Sequence, residues 1–431
     1  MPASQWPQDR DERRYAVTVQ RHLPRNFATH LAHGLFGQTG FRLLQAPTFL
    51  PAFVLLLSEG SEIAVGVALA LQSLGMALTP LLGATLIEHR RRVLPIGFAA
   101  GVAMRLSVLW IALAGFFATG TPALLLVFAG LFAFGLFQGM QGVIFNFLMS
   151  KVIPVSKRGR LTGLRNALSG ATAAAVAYIA GAFFLGEDPT AAGYSQTFLL
   201  AFLLTSIGLA SLLLMREPEP PVVRPRQSLS GQLRALPAFL AHDARFRRYV
   251  IARSLATLGR MSLPFYIVYA GTRLSLTGEW LALLTIAFAL AQTTSNLLWG
   301  FIADRRGFRY VLLLSLALWI AATALLPLAN LPIVSVLIFM GVGAATQGFQ
   351  GAAQNLTLEF GRREDLPVRI AIANSTSELA GAIGPLLGGF IAAAFGYPAL
   401  FLVAMAFLLL GGWQIKRHVP DPRFAPDKAF A

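Results

Sequence analysis

From residue 27 to residue 415, apolar runs of about twenty to thirty residues alternate with short polar turns. About twenty apolar residues are needed for a helix to cross a bilayer, so each run reads as one membrane pass. Twelve are predicted, at about 27–57, 63–87, 93–117, 122–150, 161–185, 194–215, 249–272, 280–302, 308–329, 333–358, 367–395 and 398–415. Gly37, Gly40, Pro47 and Pro51 interrupt the first run and predict kinks beside a cavity. The fifth run is rich in glycine and alanine, which lets helices pack closely in lipid. Between residues 216 and 248 the pattern gives way to prolines, glutamates and seven arginines, which lipid cannot bury. The chain therefore divides into a tail (1–26), a six-helix bundle (27–215), a linker (216–248), a second six-helix bundle (249–415) and a second tail (416–431).

The two bundles carry an internal repeat. Gln138, Gly139, Gln141, Gly142 and Asn146 recur as Gln347, Gly348, Gln350, Gly351 and Asn355, every position shifted by 209 residues. Gly40, Arg42 and Pro47 of helix 1 are likewise echoed by Gly259, Arg260 and Pro264 of helix 7. The expected fold class is an all-α membrane protein whose twelve transmembrane helices form two pseudo-symmetric halves.

Composition agrees with the pattern: 56% of residues are hydrophobic and 13% charged, against about 25% charged in soluble proteins. The net charge of +16 invites a nucleic-acid reading, but its placement argues otherwise. Of 35 lysines and arginines, 29 fall in the tails and in alternate connections. Arg273 alone falls in the opposite set, and Arg42, Arg105, Arg165, Arg253 and Arg260 lie inside apolar runs. That bias predicts cytoplasmic termini in a bacterial-type inner membrane, with lipid and no nucleic acid as partners. The first apolar run is too long for a signal-peptide core, so no cleaved targeting segment is expected. The chain has no cysteine, no His/Asp/Glu cluster with metal spacing and no phosphate-cradling Gly-Lys-Ser/Thr loop, so neither a metal, a cofactor nor an enzymatic activity is expected.

Gly300, Asp304, Arg305, Arg306, Gly307 and Arg309 form a tight charged hinge between helices 8 and 9. The stretch resembles the signature loop of the major facilitator superfamily, with Phe308 standing where that family usually has a basic residue. The twin site between helices 2 and 3 is degraded: Gly83 is present, Ile87 replaces the acid, and Glu88 comes one residue late. The resemblance implies a transporter in which the two halves rock about a midplane site, helices 1, 4, 7 and 10 line the cavity, and Asp304 with its arginines latches the cytoplasmic gate. Gly384, Pro385, Gly388 and Gly389 resemble the family's antiporter motif but sit in helix 11 rather than helix 5, so they do not assign direction.

Several polar residues inside the spans are candidates for function, because burying them in lipid is costly. Arg42 and Arg260 are placed to converge from the two halves, and guanidinium forks suit carboxylates and phosphates. The resemblance adds that organic phosphate antiporters also place one arginine on helix 1 and one on helix 7. The other reading is that both arginines only brace the bundle. Glu378, with Asn374 one turn before it, is the single deep acid and the candidate proton carrier, or else a counter-charge for an embedded arginine. Gln138, Gln141, Gln347 and Gln350 either contact substrate or bond between helices. Arg165 and Arg253 are expected to snorkel to the membrane face, Arg105 to turn inward if helix 3 is in register, and His30 and His33 to relay protons or stand by.

The function expected from these residues is a secondary active transporter, proton-coupled if Glu378 is the proton carrier, acting as a monomer on a small solute. Excess embedded arginine leans the solute towards an anion or acid. Two rivals stand beside it: an exporter of amphiphilic compounds with a phenylalanine-lined cavity, and a transport-inactive receptor or assembly partner, favoured by the degraded first loop.

Overall fold

The structure, a computed structural model, describes residues 6–221, 223, 240–241, 243–360 and 366–419. The predicted turn Gly361–Asp365, most of the linker and residues 420–431 lie outside the described residues. The elements are α1 (Trp6–Gln45), α2 (Phe49–Leu57), α3 (Glu62–Leu78), α4 (Pro80–Ile87), α5 (Leu94–Phe117), α6 (Gly120–Val152) and α7 (Val155–Ile179). Then follow α8 (Ala191–Ser211), α9 (Ala244–Gly259), α10 (Phe265–Gly271), α11 (Gly278–Arg306), α12 (Phe308–Ala324), α13 (Pro332–Leu358) and α14 (Leu366–His418). No strand occurs among the described residues.

These elements make twelve successive passes. The pairs α1/α2, α3/α4 and α9/α10 are each one broken pass, and α14 is two passes joined at Gly396, whose φ of 81° turns the chain. Among the described residues, nine helices, or ten with the bent pair α1/α2, are long and apolar enough to cross a membrane singly. Large apolar side chains face outward, with Phe117 84% and Leu297 84% exposed, a surface that lipid covers and water does not.

Two expectations change at the first pass. Helix α1 starts at Trp6 rather than near Phe27, so most of the predicted tail is helical and continuous with the pass. Tyr15 donates to the carbonyl of Lys151 and Arg25 to that of Leu214, which gives this polar extension partners in its own half. Gly37 and Gly40 do not kink the helix. They allow contact with pass 6, where a Cβ on Gly40 would stand 2.6 Å from the Ala201 carbonyl oxygen. The break falls at Ala46–Thr48, where Pro47 lacks an N–H and restricts the residue before it.

The end of the bundle bearing the chain termini differs from the far end. At the far end the halves are tightly joined along two seams. In one, Gly66 and Gly389 let passes 2 and 11 touch, and the Tyr397 hydroxyl donates to Glu62 across 2.8 Å. In the other, passes 5 and 8 meet through Gly181 and Gly278, and the Gly278 N–H donates to the Gly186 carbonyl at 2.6 Å. At the terminal end, Gly300, Gly142 and Gly351 look into open space, and Asp304 is exposed. The halves thus meet along both seams at the far end, while a Cβ on any of these terminal-end glycines would have no neighbouring atom within 4 Å.

Candidate functional site

Both halves break a helix at the same depth, α1/α2 at Ala46–Thr48 and α9/α10 at Arg260–Pro264. Irregular backbone at membrane depth is tolerated where it lines a cavity. A cavity of about 470 Å³ lies there between the halves. Arg42, Gln45, Gln72, Ser73, Gln138, Arg260, Thr285, Gln292, Thr346, Gln350, Ser377 and Glu378 supply its polar wall. Phe288 is the one phenylalanine among the residues lining it, so the phenylalanine-rich wall expected of an amphiphile exporter is absent from it.

The two arginines do converge on this cavity but are held differently. Arg42 Nη1 donates to the hydroxyl of Thr293 at 2.9 Å, across the interface in pass 8. Arg260 lies between the rings of Trp319 and Phe349, 5.6 Å from each centroid, a cation–π bracket built by its own half. Its Nε has no hydrogen-bond partner. Glu378 lines the same wall, and a Cβ on Gly381 would stand 3.8 Å from Glu378 Oε2 and 3.7 Å from Ser73 Oγ. Among the described residues, Arg260 and Glu378 form no ion pair at contact distance, although Arg260 and Arg253 are the cations facing the carboxylate.

The glutamine repeat is used unequally. Gln138 and Gln350 line the cavity, whereas Gln141 and Gln347 do not. Gln141 is buried towards passes 3 and 6 near Gly101, and Gln347 donates to Asn296 of pass 8 at 3.4 Å. Matched positions in the sequence repeat thus face differently, because the face that reaches the cavity depends on how each helix is rotated about its axis. Asn374 is also turned away, accepting a hydrogen bond from Arg253 Nη2 at 3.2 Å.

Arg165 and Arg253 do not snorkel. Both are buried, Arg253 against Thr357 and Asn374, and Arg165 with its guanidinium 5.0 Å from the Phe145 ring centre. Glycine at position 34 leaves room for the Arg165 side chain to fold inward against α1. Arg105 turns inward as well, donating to the carbonyls of Thr205 and Gly101 at 2.7 and 2.8 Å, so helix 3 is in register. His30 and His33 pack on Phe145, and none of their ring nitrogens has a hydrogen-bond partner.

The signature loop is formed but not latched. Gly307 takes φ 83°, the backbone that makes glycine necessary there, and its N–H donates to Ala303 at 2.8 Å. Arg305 lies over Phe301, and Arg309 donates to the carbonyls of Ile415 and Lys416 within its own half. Asp304 makes no hydrogen bond or ion pair among the described residues. Gly300 likewise makes no close helix contact in this conformation.

In the degraded twin, Gly83 admits Met140 of pass 4, Ile87 is buried, and Glu88 caps the end of α4. The missing carboxylate comes from elsewhere: Glu217, just beyond pass 6, accepts the backbone N–H groups of Val93 and Leu94 and pairs with buried Lys151. The sequence reading missed Gln72, Ser73, Thr285 and Thr293; an isolated polar residue within an apolar span was the available signal.

A sequence model of the Major Facilitator Superfamily matches residues 35–268 and 249–429. Among solved structures, the chain is similar to the nucleoside transporter NupG, with a TM-score of 0.65 at 13% identity over 90% of this chain and 98% of that one. A D-xylose-proton symporter gives 0.68 at 17% identity, covering 92% and 97%. The human organic anion transporter MFSD10 gives 0.60 at 15% identity, covering 91% and 99%. Identities this low carry the fold and not the substrate. No curated protein matches the sequence. With the family model spanning nearly all of both halves, the chain belongs to the Major Facilitator Superfamily and is a multi-pass membrane transport protein.

Proposed function

We propose that this protein moves a small acid-bearing solute across a bacterial-type inner membrane by alternating access, with both termini cytoplasmic. The observation that carries the reading is the cavity itself. It lies between the halves, which meet along two seams towards the far end, and is faced by two guanidinium groups, one carboxylate and a set of amides and hydroxyls. With Arg260 balanced by nearby Glu378, Arg42 is left as the uncompensated charge, and it suits a carboxylate or phosphate. Gln138 and Gln350 supply neutral donors and acceptors on either side. Glu378, the single acid lining the cavity, is the group suited to carry a coupling proton.

In this reading the basic connections mark the cytoplasmic side and the conformation is inward-facing. The amphiphile rival loses its phenylalanine-lined wall. The inactive-receptor rival rested on the degraded first loop, and Glu217 restores a carboxylate there. The test is thermal unfolding of the purified protein against organic anions, phosphates, neutral sugars and amphiphilic cations, followed by flux into liposomes. A ligand at 100 times its dissociation constant adds about 2.7 kcal/mol of stability. Stabilisation by anions with uptake into vesicles supports the reading; stabilisation by amphiphilic cations alone refutes it.

A further inference from the structure

Arg42 is the charged cavity residue with a hydrogen-bond partner in the opposite half. Its guanidinium donates to Thr293 Oγ1 at 2.9 Å, and the same hydroxyl donates to the Ala289 carbonyl at 2.9 Å within α11. Thr293 is also wedged against pass 5: a Cβ on Gly170 would meet the Thr293 Cβ at 3.0 Å. One threonine therefore ties passes 1, 5 and 8 together at the floor of the pass 5/8 seam. Further up, pass 1 meets pass 8 again where Thr48 and Thr285 share a hydrogen bond of 2.6 Å, and beyond it Gly181 of pass 5 meets Ala282 and Gly278. A clasp of this kind is in series with the far-end closure, because parting the seam must draw Thr293 away from Arg42.

Resting on the reading above, in which Arg42 receives the solute's anionic group, we propose that the Arg42–Thr293 hydrogen bond is a substrate-released clasp holding the far end shut. A guanidinium forks to two acceptor oxygens, and a carboxylate or phosphate is a far stronger acceptor than a neutral hydroxyl. An anion entering the cavity from the terminal side therefore takes Arg42 from Thr293. The seam then loses its innermost bond between halves, and the far end opens more readily when solute is aboard than when the cavity is empty. Arg260 has no such role, since its bracket of Trp319 and Phe349 lies within its own half.

The chain has no cysteine, so a single one can report on the seam. Ala282 is 1% exposed and faces Gly181 across it. The experiment places Ala282→Cys in the full-length protein and measures its rate of reaction with a bulky maleimide, without ligand and with gluconate, lactate, citrate or inorganic phosphate. Thr293→Val keeps the shape of the side chain and removes the acceptor; Arg42→Gln removes the donor. Each is expected to raise the ligand-free rate by about tenfold, the scale of one charge-assisted hydrogen bond. At least one anion is expected to raise the rate of the parent protein while adding nothing to Arg42→Gln. Unchanged ligand-free labelling in both variants overturns the clasp. Faster labelling in both variants, with no response of the parent to any of the four anions, upholds the clasp and instead overturns the assignment of an anionic solute to Arg42.

Discussion

Arg165 in pass 5 and Asn374 in pass 11 stand 209 residues apart, the offset of the glutamine repeats, so they hold matched places in the two halves. In the C-terminal half that place is better satisfied: Arg253 donates to Asn374 and Thr357 although its Nε has no hydrogen-bond partner, and the Tyr249 hydroxyl donates to the Ala353 carbonyl at 2.6 Å. In the N-terminal half, Arg165 lies on Phe145 beside His30 and His33, and its Nε and the four ring nitrogens have no hydrogen-bond partner. Buried polar groups are seldom left this way, and leaving them so costs free energy. The same contrast recurs at the cavity, where Arg260 is braced within its half and Arg42 reaches across to the other. The duplication set the backbone, and the polar chemistry laid on it then diverged.

The sharpest way to test that divergence is at the two loops. The first has lost its acid yet is tied by the buried Lys151–Glu217 pair; the second keeps Asp304 but leaves it exposed. Removing one partner of a buried pair strands the other, so Glu217→Gln is expected to cost about 3–5 kcal/mol. Asp304→Asn should fall within about 0.5 kcal/mol of the parent, as exposed substitutions do. Denaturant unfolding in detergent reads both, and equal costs would mean the loops are equivalent after all.

Next in size is the contrast between cavity arginines. Arg42→Gln should abolish anion stabilisation, about 2.7 kcal/mol at 100 times the dissociation constant, while costing the ligand-free melt no more than the one hydrogen bond to Thr293. Arg260→Gln should instead lower the ligand-free melt, because Trp319 and Phe349 lose the cation packed between them. Identical behaviour of the two variants would break the comparison. Smaller again is the polar core: Arg253→Met leaves Asn374 and Thr357 short of a donor and should cost about 1–3 kcal/mol. Arg165→Met removes a buried cation with an unpartnered Nε and should be neutral or stabilising in the same assay.

Much of this organisation was legible in the sequence. Spans follow from the length a bilayer demands, and Arg42, Arg260 and Glu378 were visible because charge inside an apolar run stands out. The rotation of each helix about its axis was not. Spacing gives the angle between Gln138 and Gln141, but not which of them points at the cavity, and the two halves chose differently. Arg165 and Arg253 lie close enough to the membrane face to snorkel, and only the tertiary partners Phe145, Thr357 and Asn374 show why they turn inward. Glu217 was hidden for a different reason: it replaces a carboxylate from a distant stretch of chain.

The smallest effect distinguishes how the halves anchor their first passes. Asn26 bonds reciprocally with the backbone of Arg216, both contacts at 2.9 Å, and carries no proton to titrate. At the corresponding entry to pass 7, Asp243 caps α9 through the Phe246 N–H at 2.9 Å and pairs with Arg369 at 2.5 Å. Partial burial pushes the Asp243 carboxyl up, but the Phe246 N–H and the Arg369 guanidinium outweigh it and hold it below the usual carboxylate range. A group whose folded value is depressed stabilises the fold above its unfolded value, about 3.9 for aspartate, and that stability fades as the pH falls through the folded value. Because the side chain is partly exposed, the contribution is about 1 kcal/mol. Acid should therefore loosen the C-terminal anchor and spare the N-terminal one. Asp243→Asn is expected to keep most of the cap, lose the ion pair, and flatten the pH dependence of unfolding between about pH 5 and pH 3. If the variant and the parent lose stability in parallel over that range, the acid sensitivity arises elsewhere, and the two anchors differ in chemistry without differing in behaviour.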